Sequence, residues 1–299
     1  MIDIDGIILV ITCNKYIESR IIGNPHRLMS DSISGWEIFY VVGNETIQND
    51  YEIEYDENIQ CKLIKVKCCD NYLYLFKKIV LAQQVVHGLF NIKKGILKCD
   101  DDILFVKEKL QAYLSSPLDM AYSAKRYDNI KYTDVFDEPI KTIKGTDTHH
   151  YFYKNPNIYK EIRTEINIRI NTFKDRFILQ PSLPPGYGGS GGVYFISTNS
   201  SKIIISYFAK CAYDLFHRDK ETNSYPFIAE DIGTCFILYK EKVVFTANNN
   251  IYSHASWRKN DDLSNVIGFH THLQGKSLTP GEGYNNVSLE PLILELLEN

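Results

Sequence analysis

Three consecutive carboxylates, Asp100, Asp101 and Asp102, close an apolar run, GILKC, that begins at Gly95. Adjacent negative charges repel, so a fold that collects them needs something to offset the charge. In an extended segment, alternation puts Asp100 and Asp102 on one side and Asp101 on the other. The outer pair can then reach one divalent cation, and that cation can neutralise a diphosphate. The competing expectation is that Asp102, or a neighbour, caps a helix starting near Ile103. A second acidic pair, Glu230 and Asp231 in IAEDIGTCF, sits in apolar surroundings at the expected start of a helix. There it either complements the helix dipole or holds a carboxylate partly away from water, ready to accept a proton from an attacking hydroxyl. His270 and His272 share one face if VIGFHTHLQG is a strand. Beside carboxylates, an imidazole favours Mn²⁺ over an all-oxygen Mg²⁺ site; a histidine pair at this spacing otherwise serves structure.

A glycine-rich stretch, PPGYGGSGGVYFIS from Pro184 to Ser197, carries Gly186, Gly188, Gly189, Gly191 and Gly192 around Tyr187. Backbone without Cβ atoms can approach a sugar or another strand closely. It is not a phosphate P-loop, because it lacks the GK[ST] ending and leads into a strand. The alternative is a flexible surface loop, against which the two prolines and the tyrosine argue.

The elements that must position these groups follow from hydrophobic period. A short β-branched apolar run predicts a strand at Gly6–Ile11, alternation another at Ile59–Val66, and further strands are expected at Trp36–Val42, Gly95–Cys99, Asp119–Ala124 and Val193–Ser197. Tyr72, Leu75, Phe76, Ile79 and Val80 recur at helical steps, predicting an amphipathic helix from Tyr72 to Phe90. Further helices are expected at Ile103–Leu114, from Ser200 to about Phe216, and from about Ala229 to Lys240, with strands near Val243 and Val266. Strands alternating with helices through residue 124 predict an α/β, Rossmann-like fold with a mainly parallel central sheet flanked by helices. Ligands of such sheets bind beyond the carboxyl ends of the strands, where the triplet lies. Residues 125–180 are rich in Lys, Asn, Asp and Tyr and show no recognisable pattern. The C-terminal SLEPLILELLEN reads either as a short helix or as an added segment.

Composition bounds the function classes. With 299 residues, 44% hydrophobic and 23% charged, the chain can bury a sizeable core. A net charge of -4 argues against general nucleic-acid or membrane-surface binding. Seven scattered cysteines without a CxxC pair imply neither a zinc ribbon nor a disulfide framework. The N-terminal apolar run is too short for a signal peptide or membrane span. The expectation is a soluble, cytoplasmic or otherwise intracellular protein.

Taken in order, LKCDDD, PPGYGGSGGVYFIS and EDIGTC make the chain resemble the family 31 glycosyltransferases, the inverting β-1,3-galactosyl- and N-acetylglucosaminyltransferases, with their Fringe and core-1 branch. VITCNKYIESR at 10–20 is similar to the Fringe-type start, and YLYLFKK at 72–78 to the family's Y-x-N-L-T-x-K, with Tyr74 and Phe76 in place of Asn and Thr. The missing stem and anchor depart from the family and point to a bacterial or viral relative.

The resemblance implies a GT-A fold in a single catalytic domain. Residues 1–124 would form the nucleotide-sugar half and 125–299 the acceptor and base half. It implies transfer of a hexose (galactose, glucose or N-acetylhexosamine) from a UDP-sugar to a glycan or glycoconjugate hydroxyl, with inversion and a β-1,3 linkage. Asp100, Asp102 and His270, or its neighbour His272, would hold Mn²⁺ or Mg²⁺. Asp231 would be the general base, with Glu230 positioning it. Thr12, Arg20 and Lys78 would lie near the nucleotide, Asp101 near ribose or sugar, and Tyr187, Gly191 and Gly192 along the sugar. A non-catalytic carbohydrate- or nucleotide-binding relative and a metal-dependent phosphohydrolase are the competing classes. The donor sugar, acceptor and oligomeric state stay open.

Overall fold

The computed structural model describes residues 1–22, 24, 26–126, 181, 183–252 and 264–270. His272, the segment 127–180 and the C-terminal SLEPLILELLEN fall outside them. The strands are β1 (Ile2–Ile11), β2 (Trp36–Gly43), β3 (Tyr51–Asp56), β4 (Cys61–Val66), β5 (Phe90–Asp100), β6 (Ile103–Phe105), β7 (Tyr122–Arg126), β8 (Gly189–Ser197), β9 (Phe245–Ala247) and β10 (Gly268–His270). The helices are α1 (Leu75–Leu89), α2 (Lys107–Ser115), α3 (Thr198–Lys210) and α4 (Glu230–Lys240). Eight strands form one sheet in the order β3-β4-β2-β1-β5-β8-β7-β9, and β10 pairs with β6 in a small second one. The fold is therefore α/β, with a large central sheet flanked by helices. Its β4-β2-β1-β5 portion is parallel throughout. β8 then enters antiparallel between β5 and β7, so the sheet runs unbroken from one half of the chain into the other.

Burial on both faces explains the unbroken apolar strands. Ile7, Leu9 and Ile11 belong to one core cluster, Ile8 and Val10 to the other. Helices α1, α3 and α4 cover the first face. There Phe76 stacks on Phe227 at 5.3 Å and meets Phe208 edge-on at 4.9 Å. Leu110 and Leu114 of α2 seal the second face. No helix among the described residues is long and apolar enough to cross a membrane.

Four local expectations change. Ile103–Phe105 is a strand paired with β10, and the helix starts only at Lys107. Val106 is its N-cap, so Asp102 does not cap it. Residues 101–102 form a turn after β5, which removes the simple alternation expected of an extended triplet. Helix α3 stops at Lys210, where Ala212 and Tyr213 turn to φ +52°. The sequence reading also passed over β3, an edge strand (YEIEYD) in which Tyr51, Ile53 and Tyr55 alternate with acidic residues although its side chains are mostly solvated.

Candidate functional site

Strand register assembles the site. β1 and β5 run parallel with Ile11 opposite Asp100, so the next residues, Thr12 and Asp101, become neighbours. Thr12 Oγ1 donates to Asp101 Oδ2 at 2.6 Å, and Asp101 N donates to the Ile11 carbonyl at 3.2 Å. Arg20 follows the short turn after β1. Its Nη1 donates to Asp101 Oδ1 at 2.8 Å and lies 3.6 Å from Asp102 Oδ2, while its guanidinium rests 3.8 Å from the centre of the Tyr16 ring. Burial raises the Asp101 carboxyl to about 6, with Arg20 opposing the rise. The β10–β6 pairing sets His270 opposite Ile103, next to the triplet, and brings its Nε2 within 3.5 Å of Asp102 Oδ1.

On the other side of β5, antiparallel β8 pairs Lys98 with Tyr194 and Cys99 with Val193. Gly191 and Gly192 therefore run on past the same end of the sheet as the aspartates. Lys98 is fully buried, and its ammonium donates to Asp100 Oδ1 at 2.5 Å and to the Gly191 carbonyl. It lies 3.5 Å from Glu230 Oε2. Glu230 is buried at the first turn of α4 and accepts a 2.7 Å hydrogen bond from the Tyr194 hydroxyl. Burial pushes its carboxyl up to about 7 despite Lys98. Asp231 is half-buried; burial raises its carboxyl too, and its own Oδ1 accepts from Ile232 N at 2.8 Å.

The glycines are spatial requirements. A Cβ on Gly191 would sit 2.9 Å from Glu230 Oε2 and 3.1 Å from Asp231 Cβ; one on Gly192 would meet the Tyr252 ring at 3.0 Å. The Tyr187 hydroxyl donates to the Val243 carbonyl at 2.9 Å, and its ring packs on Tyr239 and Phe245, anchoring the segment. Lys78 is buried and donates to the Thr12 carbonyl at 2.5 Å and to Asp70 Oδ1 at 2.9 Å.

Sequence reasoning missed three of the polar groups that build this end of the sheet. Lys98 carried a signal, a lone charge inside the apolar run GILKC. Tyr194 carried none, since a tyrosine in a buried strand reads as core. Asp70, which also accepts from Gly43 N at 2.9 Å and Asn14 N at 2.7 Å, links three loops that only the fold brings together.

Two groups of carboxylates thus meet across β5. Asp101 and Asp102 face Arg20 and His270, whereas Asp100 and Glu230 share Lys98. Among the described residues, no three His, Cys, Asp or Glu donors converge tightly enough to hold a metal ion alone. No family model matches the sequence, and no curated protein matches it. Among solved structures, the chain is similar to the glycosyltransferase GlyE of Streptococcus pneumoniae TIGR4, with 11% identity and a TM-score of 0.39. That alignment covers 99% of this chain, which spans 60% of the GlyE chain. It is also similar to mouse xyloside xylosyltransferase 1 in its apo form, with 11% identity and a TM-score of 0.37 over 97% of this chain and 100% of that one.

Proposed function

We propose that the protein is a GT-A glycosyltransferase that moves a hexose from a UDP-sugar to an acceptor hydroxyl with inversion, forming a β-1,3 linkage on a glycan or glycoconjugate. One observation carries this reading: an acidic pair led by the buried Glu230 and an aspartate triplet meet at the carboxyl end of parallel strands, Glu230 and Asp100 joined through Lys98. A phosphoryl-recognising group and a base are what a sugar transfer needs at one place. In the proposed reaction the acceptor oxygen attacks the anomeric carbon, the bond from that carbon to the diphosphate oxygen breaks, and UDP departs as an anion. Asp231 takes the acceptor proton. Its raised carboxyl makes it a better base than an exposed aspartate. Glu230, fixed by Tyr194 and Lys98, positions it. Arg20 and Thr12 hold Asp101, and with Lys78 they line the nucleotide end.

The donor set suits Mn²⁺ or Mg²⁺ in part. Asp102 Oδ1 and His270 Nε2, 3.5 Å apart, are close to the span that two metal bonds of about 2.1 Å each bridge. Asp100 is turned toward Lys98, so diphosphate oxygens would supply much of the remaining coordination. A bound cation would stabilise the charge on the departing UDP.

The test is UDP release from a panel of UDP-sugars with Mn²⁺ present. Asp102→Asn is expected to abolish Mn²⁺-dependent turnover with the fold intact, and near-normal turnover refutes its role. Asp231→Asn is expected to keep UDP binding and lose transfer; loss of binding instead makes Asp231 structural or a nucleotide contact.

A further inference from the structure

We infer that Lys98 is a built-in counter-ion that holds Asp100 off the divalent cation, so that the cation enters only together with the diphosphate. The ammonium has three N–H donors, and the structure gives it two acceptors, Asp100 Oδ1 and the Gly191 carbonyl, with Glu230 Oε2 as a further ion-pair partner at 3.5 Å. It is wholly buried, so its charge is answered chiefly by these groups rather than by bulk solvent. Its strand places it two residues before Asp100 and opposite Tyr194, which itself holds Glu230. The positive charge therefore holds the Asp100 carboxylate that a metal would otherwise draw toward Asp102 and His270. This agrees with the lack of any three-donor cluster among the described residues. Two like charges disfavour each other at this range, so a second cation gains entry when an anion comes with it. The UDP diphosphate is that anion. Lys98 is thus a positioning residue whose use in turnover rests on the glycosyltransferase reading, although its effect on cation binding does not.

The experiment is a titration of the full chain with Mn²⁺, followed by electron paramagnetic resonance of free Mn²⁺, first with the metal alone and then with UDP. Wild type is expected to bind Mn²⁺ weakly alone and at least tenfold more tightly with UDP. Lys98→Met is expected to bind Mn²⁺ alone at least tenfold more tightly than wild type, and Lys98→Met/Asp100→Asn to lose that gain. A purely structural lysine predicts the opposite sign, weaker binding or no change. Lys98→Met/Glu230→Gln removes one buried charge of each sign, and the same gain is expected of it if the single variant does not fold. Failure of these variants to outbind wild type with the metal alone overturns the inference. Failure of wild type to bind Mn²⁺ even with UDP, while Lys98→Met gains affinity, overturns the joint entry of cation and diphosphate and, with it, the metal role in the glycosyltransferase reading.

Discussion

Replacing Glu230 by glutamine is expected to flatten the pH dependence of stability. The side chain is 4% exposed, and burial raises its carboxyl from 4.5 to about 7. Between those values the folded state retains a proton that the unfolded chain has released. Stability is therefore full below pH 4.5 and falls as pH rises toward 7. At about 1.4 kcal/mol per pH unit the whole shift corresponds to about 3 kcal/mol, of which roughly 2.5 kcal/mol is lost between pH 5 and 8. The side-chain carbonyl of the substituted glutamine would still accept from the Tyr194 hydroxyl, and Lys98 would keep Asp100 and the Gly191 carbonyl. The variant should thus lack this loss. Urea unfolding of both proteins at pH 5, 6, 7 and 8 gives the difference directly, and the contributions of Asp100, Asp101 and Asp231 cancel in the comparison to first order. Parallel profiles, with a constant offset, would refute the argument that burial rather than Lys98 governs Glu230.

Gly191→Ala drives a methyl into the acidic pair, 2.9 Å from Glu230 Oε2. A destabilisation of about 1–3 kcal/mol is expected and, on the proposed function, a fall in UDP release that exceeds any loss of UDP affinity; unchanged turnover would detach the glycine segment from the proposed base. Gly95→Ala places a Cβ 2.2 Å from the Ile196 carbonyl in the middle of the sheet. Backbone cannot yield as a side chain can, so a loss of about 3 kcal/mol or more is expected in urea unfolding, and one below about 1 kcal/mol would contradict the β5–β8 register.

The parallel half of the fold was legible because its strands are buried on both faces. Such strands are short, β-branched and continuous, and GIILVI, WEIFYVV and GILKC have few other uses. Where an element rests on an edge or on a partner far along the chain, that signal fails. β3 alternates Tyr51, Ile53 and Tyr55 with acidic residues, but neither set is buried, so it lacks the continuous apolar run that marks the parallel strands. Ile103–Phe105 follows its neighbours into a helical period, yet its pairing with Gly268–His270 makes it a strand. That partner lies far along the chain, near its other end, and nothing local announces it.

The aspartate triplet shows the same division at the level of chemistry. Its position at the end of a strand could be read from GILKC alone, but the separate roles of three identical side chains could not. Alternation assigned Asp100 and Asp102 to one face. In the fold the strand ends at Asp100, and the turn hands the next two residues to groups from elsewhere: Asp101 to Thr12 and Arg20, Asp102 to the neighbourhood of His270. Asp100 stays with its own strand's Lys98. Charge compensation thus decides what each carboxylate does. Arg20, Lys98 and His270 enter from three different segments, and only Lys98 stood beside the triplet in the sequence. A lysine within an apolar strand is costly to bury unless its charge is answered. That cost made it a stronger pointer to the site than the number of aspartates beside it.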